Sequence, residues 1–343
     1  MTFDPRNILV IDFGQLGDVV LSLPALRAVR EKFPRSQITV AAGKPSGEIV
    51  RMSGYADATI EIDRVAMRDG FKPLSILKIL SVVKDVRQRK FDFVIDLHSF
   101  SETNLLGFLS GAKKRLFARR RGRSLDFLSN FRPRPPIETT NRARHQVDRY
   151  LDVLTPLGVA DADRVPRLTT RAVNDREIDR VLSKSKADAG TPLVGLFPGA
   201  GSEERRWPLE RFAQLAEILI HGDRVRPIIF LGPEERHLLS EIKAKFPSEV
   251  VVLDRLTIPQ LAAALARLAV FVSNDTGPMH IAAAVGTPVV ILLDRRAPDT
   301  YIPLTESKRV IYSATIPEMS VEDVYAATRE LLAAGRVETL IAS

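Results

Sequence analysis

Ser273-Asn274-Asp275-Thr276-Gly277-Pro278-Met279-His280 joins the apolar run Leu268-Ala269-Val270-Phe271-Val272 to a second apolar run, Ile281 to Val285. The residue types read as a strand, a tight turn and the N-terminus of a helix. Thr276 is of a type that caps helices, Gly277 lets another group approach the backbone closely, and Pro278 suits a first helical position whose N–H needs no partner. Free backbone N–H groups at such a terminus suit a phosphate. An ordinary β-α turn has the same outline, but His280, one turn further in, adds a ring within reach of a diphosphate.

The same rhythm runs outward through the chain. Ile8 to Ile11, Gln37 to Ala41 and Phe93 to Leu97 in the first half are β-type runs with helical segments between them. Leu193 to Phe197, Pro227 to Leu231, Val250 to Leu253, Ala269 to Val272 and Val289 to Leu293 repeat the pattern in the second. Continuous Val/Ile/Leu runs alternating with helices predict parallel strands buried on both faces. The fold class is therefore α/β, with two Rossmann-like domains. The boundaries read as 1–165 for the N-terminal domain, 166–191 for the connection, 192–320 for the C-terminal domain and 321–343 for a final helix that can pack back on the N-terminal domain. Val324, Ala327, Leu331 and Leu332 give that helix its apolar face.

Composition narrows the partners. A chain of 343 residues is long enough for two domains of about 100–200 residues each. Its formal charge of +8 favours a polyanionic partner, whether nucleotide, nucleic acid, phosphorylated lipid or an anionic membrane surface, and composition does not choose among them. Without cysteine, thiol catalysis, disulfides and thiolate metal sites are excluded. The N-terminus lacks the apolar segment of a secretory signal, which predicts a protein that is not exported. Ile281 to Leu293, interrupted by Gly286 and Pro288, falls short of the roughly 20 residues that span a bilayer, so membrane association would be peripheral.

Three constellations carry candidate chemistry. The first strand runs into Asp12-Phe13-Gly14-Gln15-Leu16-Gly17-Asp18, a glycine turn whose spacing is not that of a dinucleotide fingerprint. Asp18 then falls in the first turn of a helix, where it complements the dipole and stays ionised as a proton acceptor. The second is Phe197-Pro198-Gly199-Ala200-Gly201, followed by Arg205, Arg206 and the single Trp207; either arginine suits a diphosphate. The third is a basic stretch from Lys113 to Arg149 that includes Arg119, Arg120 and Arg121 and reads largely as a loop. It is either a solvated surface or a docking patch for a phosphorylated acceptor or lipid headgroups. Its scarcity of aromatic residues argues against nucleic acid. The five histidines show no ligand spacing and Asp161-Ala162-Asp163 does not follow a strand, so no metal site is predicted.

Leu16-Gly17-Asp18, Phe93 to Leu97, His145-Gln146-Val147-Asp148-Arg149-Tyr150, Gly199 to Pro208 and Asn274 to His280, in this order, resemble the heptosyltransferase-like glycosyltransferases of family 9. The resemblance runs over roughly residues 7–293, and Asp275-Thr276-Gly277-Pro278-Met279-His280 is its specific part. It implies a GT-B fold, with parallel sheets facing across a cleft that holds the active site, and transfer of a sugar, typically heptose from ADP-heptose, to the lipopolysaccharide core at the inner face of the inner membrane. Asp18 matches the general base. Gly199, Gly201, Arg205, Asp275, Thr276, Gly277, Pro278, Met279 and His280 match the donor-binding segments, and Gly17 with Arg119, Arg120 and Arg121 are the acceptor candidates. Direct displacement by the deprotonated acceptor predicts inversion, without a metal or cofactor, the nucleotide-sugar being a substrate. Two places depart from the family pattern: His98-Ser99 follow Asp96-Leu97 where Gln-Gly is usual, and Asp294-Arg295-Arg296-Ala297-Pro298 replaces a Gly-Pro loop. The rival readings are a nucleotide-sugar-binding protein without turnover and a nucleotide-sugar epimerase.

Overall fold

The computed structural model describes residues 3–63, 73–120, 122, 124–138, 144–159, 161–183 and 190–342. Two compact units divide the chain, Met1–Pro166 and Arg167–Ser343.

Unit 1 is built from β1 (Asn7–Asp12), α1 (Leu16–Lys32), β2 (Gln37–Gly43), α2 (Gly47–Ser53), β3 (Ala58–Ile62), α3 (Pro73–Gln88), β4 (Phe93–Asp96), α4 (Ser101–Leu109), β5 (Lys114–Phe117) and α5 (Gln146–Val153). Its five strands lie in the order β3-β2-β1-β4-β5, every pair parallel. Ile8, Leu9, Val10 and Ile11 are fully buried. A strand covered on both faces needs apolar residues at every position, which is why β1 reads as an unbroken run. α1 is buried from Val19 to Leu26 for a related reason, since its sequence is apolar nearly all round.

Unit 2 comprises α6 (Ala172–Ser183), β6 (Leu193–Phe197), α7 (Leu209–Asp223), β7 (Arg226–Phe230), α8 (Leu239–Lys245), β8 (Val251–Leu253), α9 (Ile258–Leu265), β9 (Val270–Asn274), α10 (Gly277–Ala284), β10 (Val289–Asp294), β11 (Lys308–Ser313) and α11 (Val321–Ala342). The parallel order is β11-β10-β9-β6-β7-β8. Trp207, fully buried, meets the Phe212 ring edge-on at 4.7 Å, and its Nε1 donates to the Met319 carbonyl at 3.0 Å. An indole buried this completely supplies a large hydrophobic anchor while its one donor stays satisfied.

Two segments expected to lie apart from the C-terminal domain pack within unit 2. Val324, Ala327, Leu331 and Leu332 of the final helix belong to that unit's apolar core, beside Trp207 and Phe212. The stretch 166–191 is not merely a connection, because α6 packs on α9 and Arg267 bridges Asp175 and Asp179 at 2.9 Å each. The amphipathic faces of both helices need an apolar partner, and unit 2 provides it.

Candidate active site

In each sheet the chain reverses its direction of winding between two adjacent central strands, and ligands of open α/β sheets gather beyond the carboxyl ends at such a point. In unit 1 the strands are β1 and β4; in unit 2 they are β6 and β9.

At the unit 1 switch point stands a buried carboxylate–imidazole pair. Asp12, the last residue of β1, has no exposed surface, and His98, two residues beyond β4, is 6% exposed. The two are joined by a bond of 2.6 Å between His98 Nε2 and Asp12 Oδ1. Ser22 Oγ donates to Asp12 Oδ2 at 2.5 Å, and the Gly14 amide donates to Oδ1 at 3.1 Å. Burial alone would push the Asp12 carboxyl up; the charge and hydrogen bond of His98, with those from Ser22 and Gly14, outweigh it and leave the group below its ordinary value. Burial would lower His98, and the charge and hydrogen bond of Asp12, aided by Asp96 and Asp18, raise it instead.

Asp96 ends β4, and its carboxylate turns the chain that follows. Its Oδ1 accepts from the His98 and Ser99 amides at 3.1 and 2.8 Å, and its Oδ2 from Asn104 Nδ2 at 2.7 Å. Ser99 has φ +53°, a left-handed conformation that a non-glycine residue holds only where its surroundings impose it. Burial pushes Asp96 up to about 6.

Asp18 lies half-buried in the first turn of α1, where its Oδ2 accepts from the Gln15 amide at 3.0 Å. That bond satisfies a backbone donor at the helix start. Gly14 is required by packing: a Cβ there would stand 2.5 Å from Asp18 Cβ, 3.0 Å from His98 Nε2 and 3.1 Å from Asp12 Oδ1. Gly17 is the half-exposed residue just before Asp18.

The basic stretch is not wholly a loop, since β5 falls within it and α5 begins at its end. Glu138 pairs with Arg120 at 2.5 Å and Arg149 at 3.4 Å, while Asp126 pairs with Arg134 at 3.0 Å and Arg119 at 4.0 Å. Arg120 also donates to the His98 carbonyl at 3.1 Å, and its guanidinium covers the Phe100 ring at 5.1 Å. Arg121 lies outside the described residues. A cavity of about 170 Å³ opens beside His98, with Arg119, Arg120, Glu138, Arg144, Arg149 and Tyr150 in its lining.

At the unit 2 switch point a neutral amide takes the place of the carboxylate–imidazole pair. Asn274, fully buried at the end of β9, donates through Nδ2 to the Pro198 and Gly199 carbonyls at 3.2 and 3.0 Å and accepts from the Trp207 amide at 3.1 Å. One side chain thus ties the loop after β6 to the loop after β9. Gly199 has no room for a side chain, because a Cβ would stand 2.5 Å from Glu235 Oε1; at Gly201 a Cβ would meet nothing within 4 Å.

Thr276 sits at the N-cap of α10 without making a cap bond, a correction to its expected role; its Oγ1 pairs with Ser273 Oγ at 3.1 Å. Pro278 follows in the first turn, Met279 is 1% exposed within the core, and His280 is 6% exposed. Burial raises Asp275, and the charge of Arg205 partly offsets this. Arg205 is exposed, whereas the charge of Arg206 acts on Glu235. The two arginines are therefore not equivalent, and Arg205 is the one associated with the β9 turn.

Sequence reasoning missed the bridging residues Asp12, Asn274, Ser22 and Asn104. The available signal was a polar residue ending an apolar strand, as Asp12, Asp96 and Asn274 all do.

The family model of glycosyltransferase family 9 (heptosyltransferase) matches residues 79–327. The chain belongs to glycosyltransferase family 9. It is 24% identical over 294 residues to the lipopolysaccharide core heptosyltransferase OpsX of Haemophilus influenzae, covering 83% of this chain and 78% of that protein. Its structure resembles the family 9 glycosyl transferase of Veillonella parvula with a TM-score of 0.84 and 25% identity, covering 97% of this chain and 99% of the other. It also resembles Escherichia coli heptosyltransferase WaaC with ADP-2-deoxy-2-fluoro heptose, with a TM-score of 0.74 and 19% identity, covering 95% and 99%. The two parallel-sheet units are those of the GT-B fold, and the protein is a glycosyltransferase.

Proposed function

We propose that the protein transfers heptose from ADP-heptose to a lipopolysaccharide core acceptor with inversion at the anomeric carbon. The observation that carries the mechanism is Asp18, a half-buried carboxylate in the first turn of α1 at the unit 1 switch point. Asp18 removes the proton of the acceptor hydroxyl as its oxygen bonds to the anomeric carbon and the bond to the diphosphate breaks. Arg205 and the backbone N–H groups at the start of α10 stabilise the charge growing on the departing diphosphate. Asp275, Thr276, Gly277 and His280 complete the donor segment, and Gly199 keeps the loop after β6 close to it. With these cations and dipoles in place, the reaction needs no metal.

Names of relatives support the sugar and the acceptor, OpsX being a lipopolysaccharide core heptosyltransferase and WaaC having been solved with a fluorinated ADP-heptose. Among the described residues no helix is long and apolar enough to cross a membrane. We place the protein in the cytoplasm, peripheral at the inner face of the inner membrane, with Gly17, Arg119, Arg120 and Arg121 on the acceptor side. Replacing Arg119 and Arg121 by Gln should raise the acceptor KM and flatten its salt dependence; parallel salt slopes would withdraw that assignment. The function itself is tested by supplying ADP-heptose and a heptose-deficient lipopolysaccharide in the presence of EDTA. Product with the inverted anomeric configuration is expected. Product that retains configuration, or turnover abolished by EDTA, would reject the mechanism.

A further inference from the structure

We infer that His98 is a positioning residue for this reaction: clamped by the buried Asp12 carboxylate across the β1/β4 switch point, its imidazolium stands beside Asp18 and holds that carboxylate in proton-accepting form. The inference rests on the assignment of Asp18 as the base.

The geometry has three parts. Asp12 and His98 are both nearly or wholly out of solvent and 2.6 Å apart. A buried carboxylate is stable as an ion only when its charge is matched, and His98 is the partner at that distance. Second, Asp18 Cβ and His98 Nε2 both lie within 3.0 Å of the position a Gly14 Cβ would take, so Gly14 brings the base and the ring together. Third, Nε2 is bonded to Asp12, and it therefore acts on Asp18 by charge rather than by a hydrogen bond through that nitrogen.

Other elements hold the ring in place. Phe100 stacks on it at 5.5 Å, Tyr150 meets it edge-on at 5.3 Å, and Arg120 binds its carbonyl. The charged groups that face it are Asp12 from β1, Asp18 from α1, Asp96 from β4 and Arg120 from the segment after β5. The cavity that His98 lines also holds Arg119, Arg144, Arg149, Glu138 and Asp152, each arginine paired with a carboxylate, Arg119 to Asp126. The three near carboxylates outnumber the one near guanidinium, which is itself paired with Glu138. This surplus of negative charge favours the protonated ring, and burial and charge together leave His98 raised from its ordinary value.

An opposite charge within about 4–6 Å lowers a carboxylate pKa by about 1–3 units. In His98→Gln, which can still donate to Asp12 but carries no charge, the acid limb of the kcat/KM profile should move up by about one unit or more, with turnover recovering at higher pH. A folded His98→Gln enzyme whose acid limb coincides with the parent's would overturn the inference. The second measurement needs no turnover and no His98 variant. In a histidine-labelled NMR titration, one ring of the parent should remain protonated above pH 6.5, and Asp18→Asn should lower that titration because the coupling is reciprocal. No ring protonated at pH 7, or no response to Asp18→Asn, would equally overturn it. If Asp18→Asn retained full turnover, the base assignment would fail while the NMR coupling persisted, so the two failures are distinguishable.

Discussion

The two units share a topology and differ in what crosses their switch points. In unit 1 the β1 and β4 ends are bridged by a carboxylate–imidazole pair, Asp12 and His98, with Asp96 and Asp18 close by. In unit 2 the loops after β6 and β9 are bridged by the amide of Asn274, and the adjoining carboxylate, Asp275, feels the charge of Arg205. The lesson is that the sheet supplies only a place, and the charge set there supplies the chemistry. A carboxylate-rich turn suits taking up a proton. A turn with a neutral bridge, an arginine and uncapped helical N–H groups suits holding a diphosphate.

The comparison breaks most visibly at Asp18. Base catalysis contributes about 10²–10⁴-fold, so Asp18→Asn should lower kcat by that order and leave ADP affinity unchanged. A variant within a few-fold of parental kcat would reduce Asp18 to a helix-dipole residue. Asn274→Ala sharpens the contrast from the other side. It strands two buried carbonyls and the Trp207 amide, and each unsatisfied group costs about 1–3 kcal/mol, so denaturant unfolding should show a loss of at least about 2 kcal/mol together with weaker ADP binding. Loss of stability with unchanged ADP affinity would detach the bridge from the donor site.

A smaller effect separates the two arginines. A hydrogen bond to a charged group contributes about 1.5–3 kcal/mol, so Arg205→Ala should weaken ADP binding about tenfold or more, with Arg206→Ala close to parent. Equal effects would contradict the assignment of Arg205 rather than Arg206 to the diphosphate. The last prediction concerns pH. The folded His98 is raised above its ordinary value, so its pairing with Asp12 stabilises fully below about pH 6.5, the unfolded value, and that stabilisation is lost as pH rises through the folded pKa. Unfolding free energies between pH 6 and 9 should therefore fall more steeply for the parent than for His98→Gln, and parallel curves would show that no charge is shared.

The chain announced its central strands and one edge, β8, and concealed the other three edges. Runs such as Ile8 to Ile11 and Leu193 to Phe197 are apolar throughout because both their faces are covered. Ala58-Thr59-Ile60-Glu61-Ile62, Lys114-Arg115-Leu116-Phe117 and Lys308-Arg309-Val310-Ile311-Tyr312-Ser313 form β3, β5 and β11 at sheet edges, where polar residues interrupt the run and blunt an open edge. The glycine turns were equally legible, since Gly14 and Gly199 stand where no Cβ fits. The bridges were not. Asp12 and His98 are 86 residues apart, and Asn274 and Gly199 are 75 apart, so only the pairing of strands brings them together. Thr276 shows the opposite failure: the right residue type stands at the cap, but its hydroxyl pairs with Ser273.

The division of labour between the switch points is most directly tested by amide hydrogen exchange with and without saturating ADP. Protection is expected at 199–206 and 275–281 and not at 12–18. Protection of the amides from Gly14 to Asp18, with the 275–281 segment unchanged, would put the nucleotide on the wrong turn and contradict the account.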